Sequence, residues 1–368
     1  MPEIYVPEIY VPEIGTCPTA GRPARAAEEP PMNEPRTTAA AARPAPTAAG
    51  SPAPVDLRVT IGSLELRNPV LLASGTCGYG EDIAGLVDVG QLGGIVTKTV
   101  TPEPRAGNRP PRIAEVPGGM LNSIGLENVG LEAFVLDKLP VIRRLDTRCV
   151  VSIGGESAAD YERSARRLEG LDGIDALELN LSCPNVSGGM DLSRDPAACG
   201  AAVAAVRAVT ERPLVAKLTP NVASMVPIAG AAADAGADAV SLVNTFLGMA
   251  IDVERRRPAL ASVVGGLSGP AIRPLAVARV FEVSRAVGIP VIGIGGIASG
   301  RDVVEFLLAG ATAVQVGTQN FVDPSGAGRL ATALRAYLER HRLRRPAELR
   351  QALELPAADG PARGEEAT

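Results

Sequence analysis

Only one histidine, His341, and no tryptophan occur in 368 residues, and aromatic side chains make up 3%. A lone imidazole argues against a histidine-built metal site, a Ser-His-Asp triad and a histidine general base. So few rings argue against a base-stacking platform, and a net charge of −5 supplies no basic field for nucleic acid. The five cysteines, Cys17, Cys77, Cys149, Cys183 and Cys199, contain no C-x-x-C pair. That excludes zinc knuckles and cysteine-ligated iron–sulfur motifs, so no metal site is expected. An odd number of thiols without a secretory signal fits a reducing, cytoplasmic compartment. No uncharged apolar run reaches the roughly 18 residues of a membrane span. Catalysis is left to Cys, Lys, Asn, Ser or acidic side chains.

What is present divides unevenly. Hydrophobic residues make up 46%, enough for a sizeable core, yet residues 1–54 hold 12 of the 32 prolines and open on a tandem Tyr-Val-Pro-Glu-Ile repeat. Such a segment buries too little apolar surface to offset its chain entropy, so disorder is expected for 1–54 and for the acidic tail at 357–368. Residues 55–356 are expected to form one domain.

Within that domain, short runs apolar on both faces alternate with amphipathic stretches. The runs are Val70–Ala73, Gly94–Lys98, Val150–Ile153, Ala176–Leu181, Leu214–Leu218, Ala239–Asn244, Val291–Ile294 and Ala313–Val316. Helical candidates between them include Tyr161–Leu168, Ala197–Val209, Val226–Ala235, Ile272–Val287 and Arg301–Ala309. Strands buried on both faces belong to a parallel sheet, and eight of them, each followed by a helix or a long loop, match a (β/α)8 TIM barrel. A doubly wound sheet is the rival architecture. A hairpin, Leu57–Ile61 with Leu64–Leu66, is expected to plug the N-terminal mouth.

Barrel chemistry collects where strands end. Here the ends read Ser74-Gly75-Thr76, Lys98-Thr99, Asn180-Leu181-Ser182-Cys183-Pro184-Asn185, Lys217-Leu218-Thr219, Asn244-Thr245, Gly295-Gly296 and Gly317-Thr318. Two lysines and several amides at one mouth are poor core material, because a buried ammonium is costly without an anion. Paired glycines at the last two ends let backbone N–H groups approach a phosphate, although glycine also serves simple tight turns. Cys183 stands before Pro184, which favours an extended, presented loop. With no histidine beside it, its thiol would titrate near about 8.5 and act as a base that strengthens with pH.

Together, Ala73-Ser74-Gly75, Lys98-Thr99, Met120 through Leu126, Asn180 through Asn185 and Gly265-Gly266-Leu267-Ser268-Gly269-Pro270 resemble the dihydroorotate dehydrogenase family over about Val55–Arg345. Cys183 and the Ser74–Gly80 and Gly265–Pro270 stretches resemble its class 1B catalytic subunit. The resemblance implies oxidation of dihydroorotate to orotate in pyrimidine biosynthesis. FMN would be held by Ser74, Lys98, Thr99, Asn180, Lys217, Val243, Gly269, Gly295, Gly296, Gly317 and Thr318. The substrate pocket would comprise Lys98, Asn122, Ser123, Ile124, Gly125, Leu126, Asn180, Asn185, Asn244 and Thr245, with Cys183 as the base. It also implies a homodimer core within a heterotetramer, whose second subunit carries FAD and an iron–sulfur cluster and passes electrons to NAD. One departure stands out: the family usually has Asn after the third strand, whereas this chain has Ser152, a weaker flavin contact. A fumarate-linked class 1A enzyme, another flavin barrel acting on pyrimidine rings, and a non-catalytic flavin- or phosphate-binding scaffold are the alternatives. The long stretches Thr101–Gly119 and Phe246–Gly266 are expected to be loops that cover the pocket or meet a partner. The Cys183 loop is expected to act as a lid.

Overall fold

The computed structural model describes residues 54–182, 192 and 194–356. The proline-rich extension through residue 53, the tail from 357, and Cys17, Cys183 and Asn185 with the expected Cys183 lid lie outside the described residues.

In chain order the strands are β1 (Val59–Ile61), β2 (Leu64–Leu66), β3 (Val70–Leu72), β4 (Gly94–Val96), β5 (Ile113–Val116), β6 (Gly119–Asn122), β7 (Arg148–Ile153) and β8 (Ala176–Asn180). There follow β9 (Leu214–Lys217), β10 (Ala239–Leu242), β11 (Phe246–Gly248), β12 (Ile251–Asp252), β13 (Arg257–Pro258), β14 (Gly265–Ser268), β15 (Val291–Ile294) and β16 (Ala313–Val316). Strands β3, β4, β7, β8, β9, β10, β15 and β16 pair in that order and close from β16 back to β3, all parallel. These are the eight apolar runs of the sequence, and the arrangement is a (β/α)8 barrel rather than a doubly wound sheet.

Alternation along each strand decides what fills the interior. Leu71, Val96, Val150, Ala176, Val215, Ala239, Ile292 and Ala313, one from every barrel strand, form a cluster with Val59, Ile61, Leu64 and Leu66 of the β1–β2 hairpin. The hairpin turns at Gly62-Ser63, pairs Ile61 with Leu64, and buries every second residue against this cluster. It is the expected plug. Two residues further along the same faces the interior turns polar, with Ser152, Glu178, Lys217, Ser241 and Gln315 all buried.

The outer helices follow the predicted stretches within a few residues: Ala158–Leu168, Pro196–Arg207, Val226–Asp234, Arg273–Ser284 and Gly300–Leu308. Their starts are chemically marked. Ser157 with Asp160, and Ser299 with Asp302, form reciprocal capping boxes. Asp195 caps a helix whose first residue is Pro196.

The two long segments expected to be loops are partly sheet. The hairpin β5–β6, inserted after β4, and strands β11 and β14, inserted after β10, join in one antiparallel sheet of order β11-β14-β6-β5. Gly266 pairs with Asn122 and Ser268 with Met120, so segments more than 140 residues apart are held in register. Both insertions leave the barrel from the C-terminal ends of its strands. Among the described residues no helix is long and apolar enough to cross a membrane.

Candidate functional site at the strand ends

A chain of short polar side chains runs around the C-terminal mouth. Thr99 Oγ1 lies 3.3 Å from Ser74 Oγ and 2.9 Å from Ser152 Oγ, and it accepts from Asn180 Nδ2 at 3.2 Å. Asn244 Nδ2 in turn donates to Asn180 Oδ1 at 3.4 Å. Five predicted residues from the ends of β3, β4, β7, β8 and β10 are thus one network. Each sits where its strand leaves the barrel, so backbone geometry rather than a flexible linker sets its place. Ser152, expected at the ligand itself, has no exposed surface. Its hydroxyl lies behind Thr99, and its N–H donates to Thr97 Oγ1 at 3.1 Å.

The two lysines differ sharply. Lys217 is buried and faces Glu178, with Nζ 3.7 Å from Oε2. Lys98, half-buried at the end of β4, is anchored by its own N–H to the Gly78 carbonyl at 2.7 Å, and among the described residues no carboxylate pairs with it. Among the described residues, then, the lysine of β9 has a counter-charge at the mouth and that of the β4 end has none.

Glycines line the β15 and β16 side. Gly295 and Gly296 have φ of +133° and +71°. A Cβ on Gly295 would lie 2.7 Å from Ala276 Cβ and 3.4 Å from Val243, and one on Gly296 would lie 2.8 Å from the Gly269 carbonyl. Gly269 is itself packed so that a Cβ would fall 2.7 Å from Gly119 and 3.6 Å from Thr318. Val243, Gly269, Gly295, Gly296 and Thr318 are thus neighbours. Gly317 approaches Ala73 across the β16–β3 seam. The N–H groups of Gly296 and Thr318 take no part in backbone hydrogen bonds of this corner. The helix that follows is different: the N–H groups of Ala298 and Ser299 already donate to Asp302 Oδ2 at 2.9 and 2.8 Å.

The remaining predicted residues come from the inserted sheet and the β10 end. Asn122 closes β6, with Nδ2 3.3 Å from the Gly266 carbonyl. The turn Ser123–Leu126 is held by Asn108, which donates to Ser123 O at 3.1 Å and lies 2.8 Å from its Oγ. Thr245 abuts Gly266, and its N–H is held by Asn244 Oδ1 at 2.8 Å.

Sequence reasoning missed the polar layer beneath the mouth. Ser241 Oγ and Gln315 Nε2 donate to Glu178 Oε1 at 2.8 and 2.7 Å. The signal was available: a charge in the otherwise apolar run Ala176-Leu177-Glu178-Leu179, two residues before Asn180 and so on the same face. Asn221 was also missed; it donates to the Thr245 carbonyl at 3.0 Å and accepts from Leu247 N–H at 2.9 Å.

The described cysteines are core material. Burial, reinforced by the nearby Asp82 charge, pushes the Cys77 thiol up to about 12, and burial alone takes Cys199 to about 12. Cys149 moves the same way, through burial and then Asp175.

A (β/α)8 barrel with a hydroxyl–amide network, a lysine and a bare glycine corner at its strand ends has the layout of a barrel enzyme. A family model described as Dihydroorotate dehydrogenase matches residues 56–338. The catalytic subunit of dihydroorotate dehydrogenase B (NAD(+)) from Geobacter sp. (strain M21) is 50% identical over 301 residues, 82% of this chain and 99% of that protein. Its namesakes from Pelobacter propionicus and Geobacter sulfurreducens are 51% and 53% identical, covering 81% and 77% of this chain and 99% and 93% of those proteins. The chain belongs to the dihydroorotate dehydrogenase family.

Proposed function

We propose that this chain oxidises dihydroorotate to orotate in pyrimidine biosynthesis, with FMN in the barrel mouth and NAD as the final acceptor. The observation that carries the reading is the convergence of Ser74, Thr99, Asn180 and Asn244 in one hydrogen-bonded network beside Lys98, which pairs with no carboxylate among the described residues.

The residues present suit FMN. The bare corner at Gly295 and Gly296, where the N–H groups of Gly296 and Thr318 make no backbone hydrogen bond among the described residues, suits its phosphate. Ser74, Lys98, Thr99, Asn180 and Lys217 supply polar donors around the interior, with Val243, Gly269 and Gly317 as walls. Ser152 supports Thr99 from behind. When bound, FMN supplies the acceptor for the hydride lost from C6 of the substrate.

The chain's own residues do the rest. Cys183, as thiolate, removes the proton from C5. Asn122, Asn180, Asn185 and Asn244 offer a donor and an acceptor each to the alternating carbonyl and N–H groups of the ring. Ser123–Leu126 and Thr245 shape its surroundings. Holding the ring in one orientation makes proton removal effectively intramolecular. Lys98 offsets the substrate carboxylate and the negative charge that develops on oxidation.

A second subunit carrying FAD and an iron–sulfur cluster would carry the electrons on to NAD, with two of each chain in a heterotetramer around a catalytic homodimer. Exposed apolar side chains on the insertion after β10, Leu247, Met249, Ile251, Val263 and Val264, support a chain that works in an assembly.

Anaerobic stopped-flow bleaching of the flavin by dihydroorotate tests the reading. Cys183→Ser should keep its FMN but lose most of the reduction rate at neutral pH, recovering partly in alkali. An undiminished rate removes Cys183 as the base. The purified single chain should be reduced by dihydroorotate yet pass electrons to NAD slowly; rapid NAD reduction without a partner contradicts the two-subunit route.

A further inference from the structure

We infer that Glu178 is a positioning residue that holds the Lys217 ammonium in place beneath the flavin site; this rests on the FMN reading above. Glu178 is wholly buried inside the barrel, two residues before Asn180 on the same face of β8. One carboxylate oxygen is fixed from two other strands, by Ser241 of β10 at 2.8 Å and Gln315 of β16 at 2.7 Å. The other, Oε2, has no hydrogen-bond partner and lies 3.7 Å from Lys217 Nζ on β9.

The asymmetry is informative. A carboxylate that merely stitched strands together would be hydrogen-bonded through both oxygens, since a buried acceptor without a partner is costly. Here the second oxygen is compensated by charge alone, and its separation from the ammonium leaves the lysine's N–H donors available to something else. Lys217 has only 8% of its side chain exposed. Removing the counter-charge would leave a buried cation unpaired. Without that anchor the ammonium must move away from where Glu178 holds it, and its N–H donors leave their place beneath the mouth.

The experiment uses apoprotein titrated with FMN by fluorescence, and spectroelectrochemistry of the loaded protein. Glu178→Gln, an isosteric neutral change, should weaken FMN binding about tenfold and shift the flavin midpoint potential. Lys217→Met should do the same, and the double variant should go no further than Lys217→Met alone. Ser241→Ala, which removes one hydroxyl and leaves both charges, should shift the potential by less, and should be silent in the Lys217→Met background. A wild-type potential in both Glu178→Gln and Ser241→Ala overturns the inference, as does a Glu178→Gln shift that adds in full to that of Lys217→Met. Should Glu178→Gln fail to fold, Ser241→Ala decides alone: a wild-type potential there overturns the inference. A wild-type chain that binds no FMN overturns the flavin reading itself, a result distinct from normal binding without coupling between positions 178 and 217.

Discussion

Thr318, one residue beyond the Gly317 that follows the last barrel strand, donates its hydroxyl to Ser268 across 2.8 Å and so joins points 50 residues apart. Ser268 ends β14, whose other neighbour is the Gly119–Asn122 strand. The same contact therefore ties the glycine corner of the barrel to the sheet that carries Asn122. A disturbance of the inserted sheet should be felt at the strand ends, and the reverse.

Gly266→Ala tests that linkage. Its Cβ would fall 2.0 Å from Thr245 Oγ1 and 2.6 Å from Thr245 Cβ, so the strand or the threonine must move. Overpacking of this kind costs about 1–3 kcal/mol. The urea midpoint should fall, KM for dihydroorotate should rise, and FMN affinity should fall with it.

Gly296→Ala meets backbone rather than side chain. Its φ of +71° disfavours any L side chain, and its Cβ would lie 2.8 Å from the Gly269 carbonyl. Strain of about 1–3 kcal/mol is expected at the corner assigned to phosphate. FMN affinity, measured by fluorescence titration of the apoprotein, should drop at least about tenfold while the far-ultraviolet circular dichroism is retained.

Lys98→Met should separate binding from chemistry. The lysine pairs with no carboxylate among the described residues, so its removal orphans no anion among them. FMN should remain bound, while flavin reduction by dihydroorotate slows by about 10²–10³-fold, read by stopped flow.

The buried thiols predict a direction with pH. A folded-state value of about 12 for Cys77 and Cys199 lies above that of an unfolded thiol. The unfolded chain thus releases those protons first, and the stabilisation, complete below about pH 8.5, declines as pH rises towards 12. Urea midpoints should fall above about pH 9, and Cys199→Ala should lessen the slope. Iodoacetamide at pH 8 should leave Cys77, Cys149 and Cys199 unlabelled until the protein unfolds.

The barrel was legible because each of its strands is a short apolar run, and burial on both faces leaves a mark that needs no knowledge of partners. The plug was legible for a similar reason: Val59, Ile61, Leu64 and Leu66 alternate around a two-residue turn. The inserted sheet was not. Ile113–Val116 shows only partial alternation amid Pro, Gly and Arg, and Gly265–Ser268 carries two glycines, so neither looks like a strand until the other is beside it. The mouth residues could be read from their positions at strand ends. Ser152 could be placed there, but not its retreat behind Thr99, because depth within a barrel depends on neighbours from adjoining strands. Glu178 was passed over for the complementary reason. Inside a run that looks wholly apolar, a single acid reveals its partners only once Lys217, Ser241 and Gln315 arrive from three other strands.

The hairpin that seals the barrel floor has a kinetic consequence. With the hairpin clustered against one residue from each barrel strand, that end of the interior is filled by side chains, and small molecules reach the site from the C-terminal mouth. Dihydroorotate, orotate and any small diffusible oxidant must take turns there. Steady-state patterns with an artificial acceptor should therefore be ping-pong, with orotate and acceptor excluding one another.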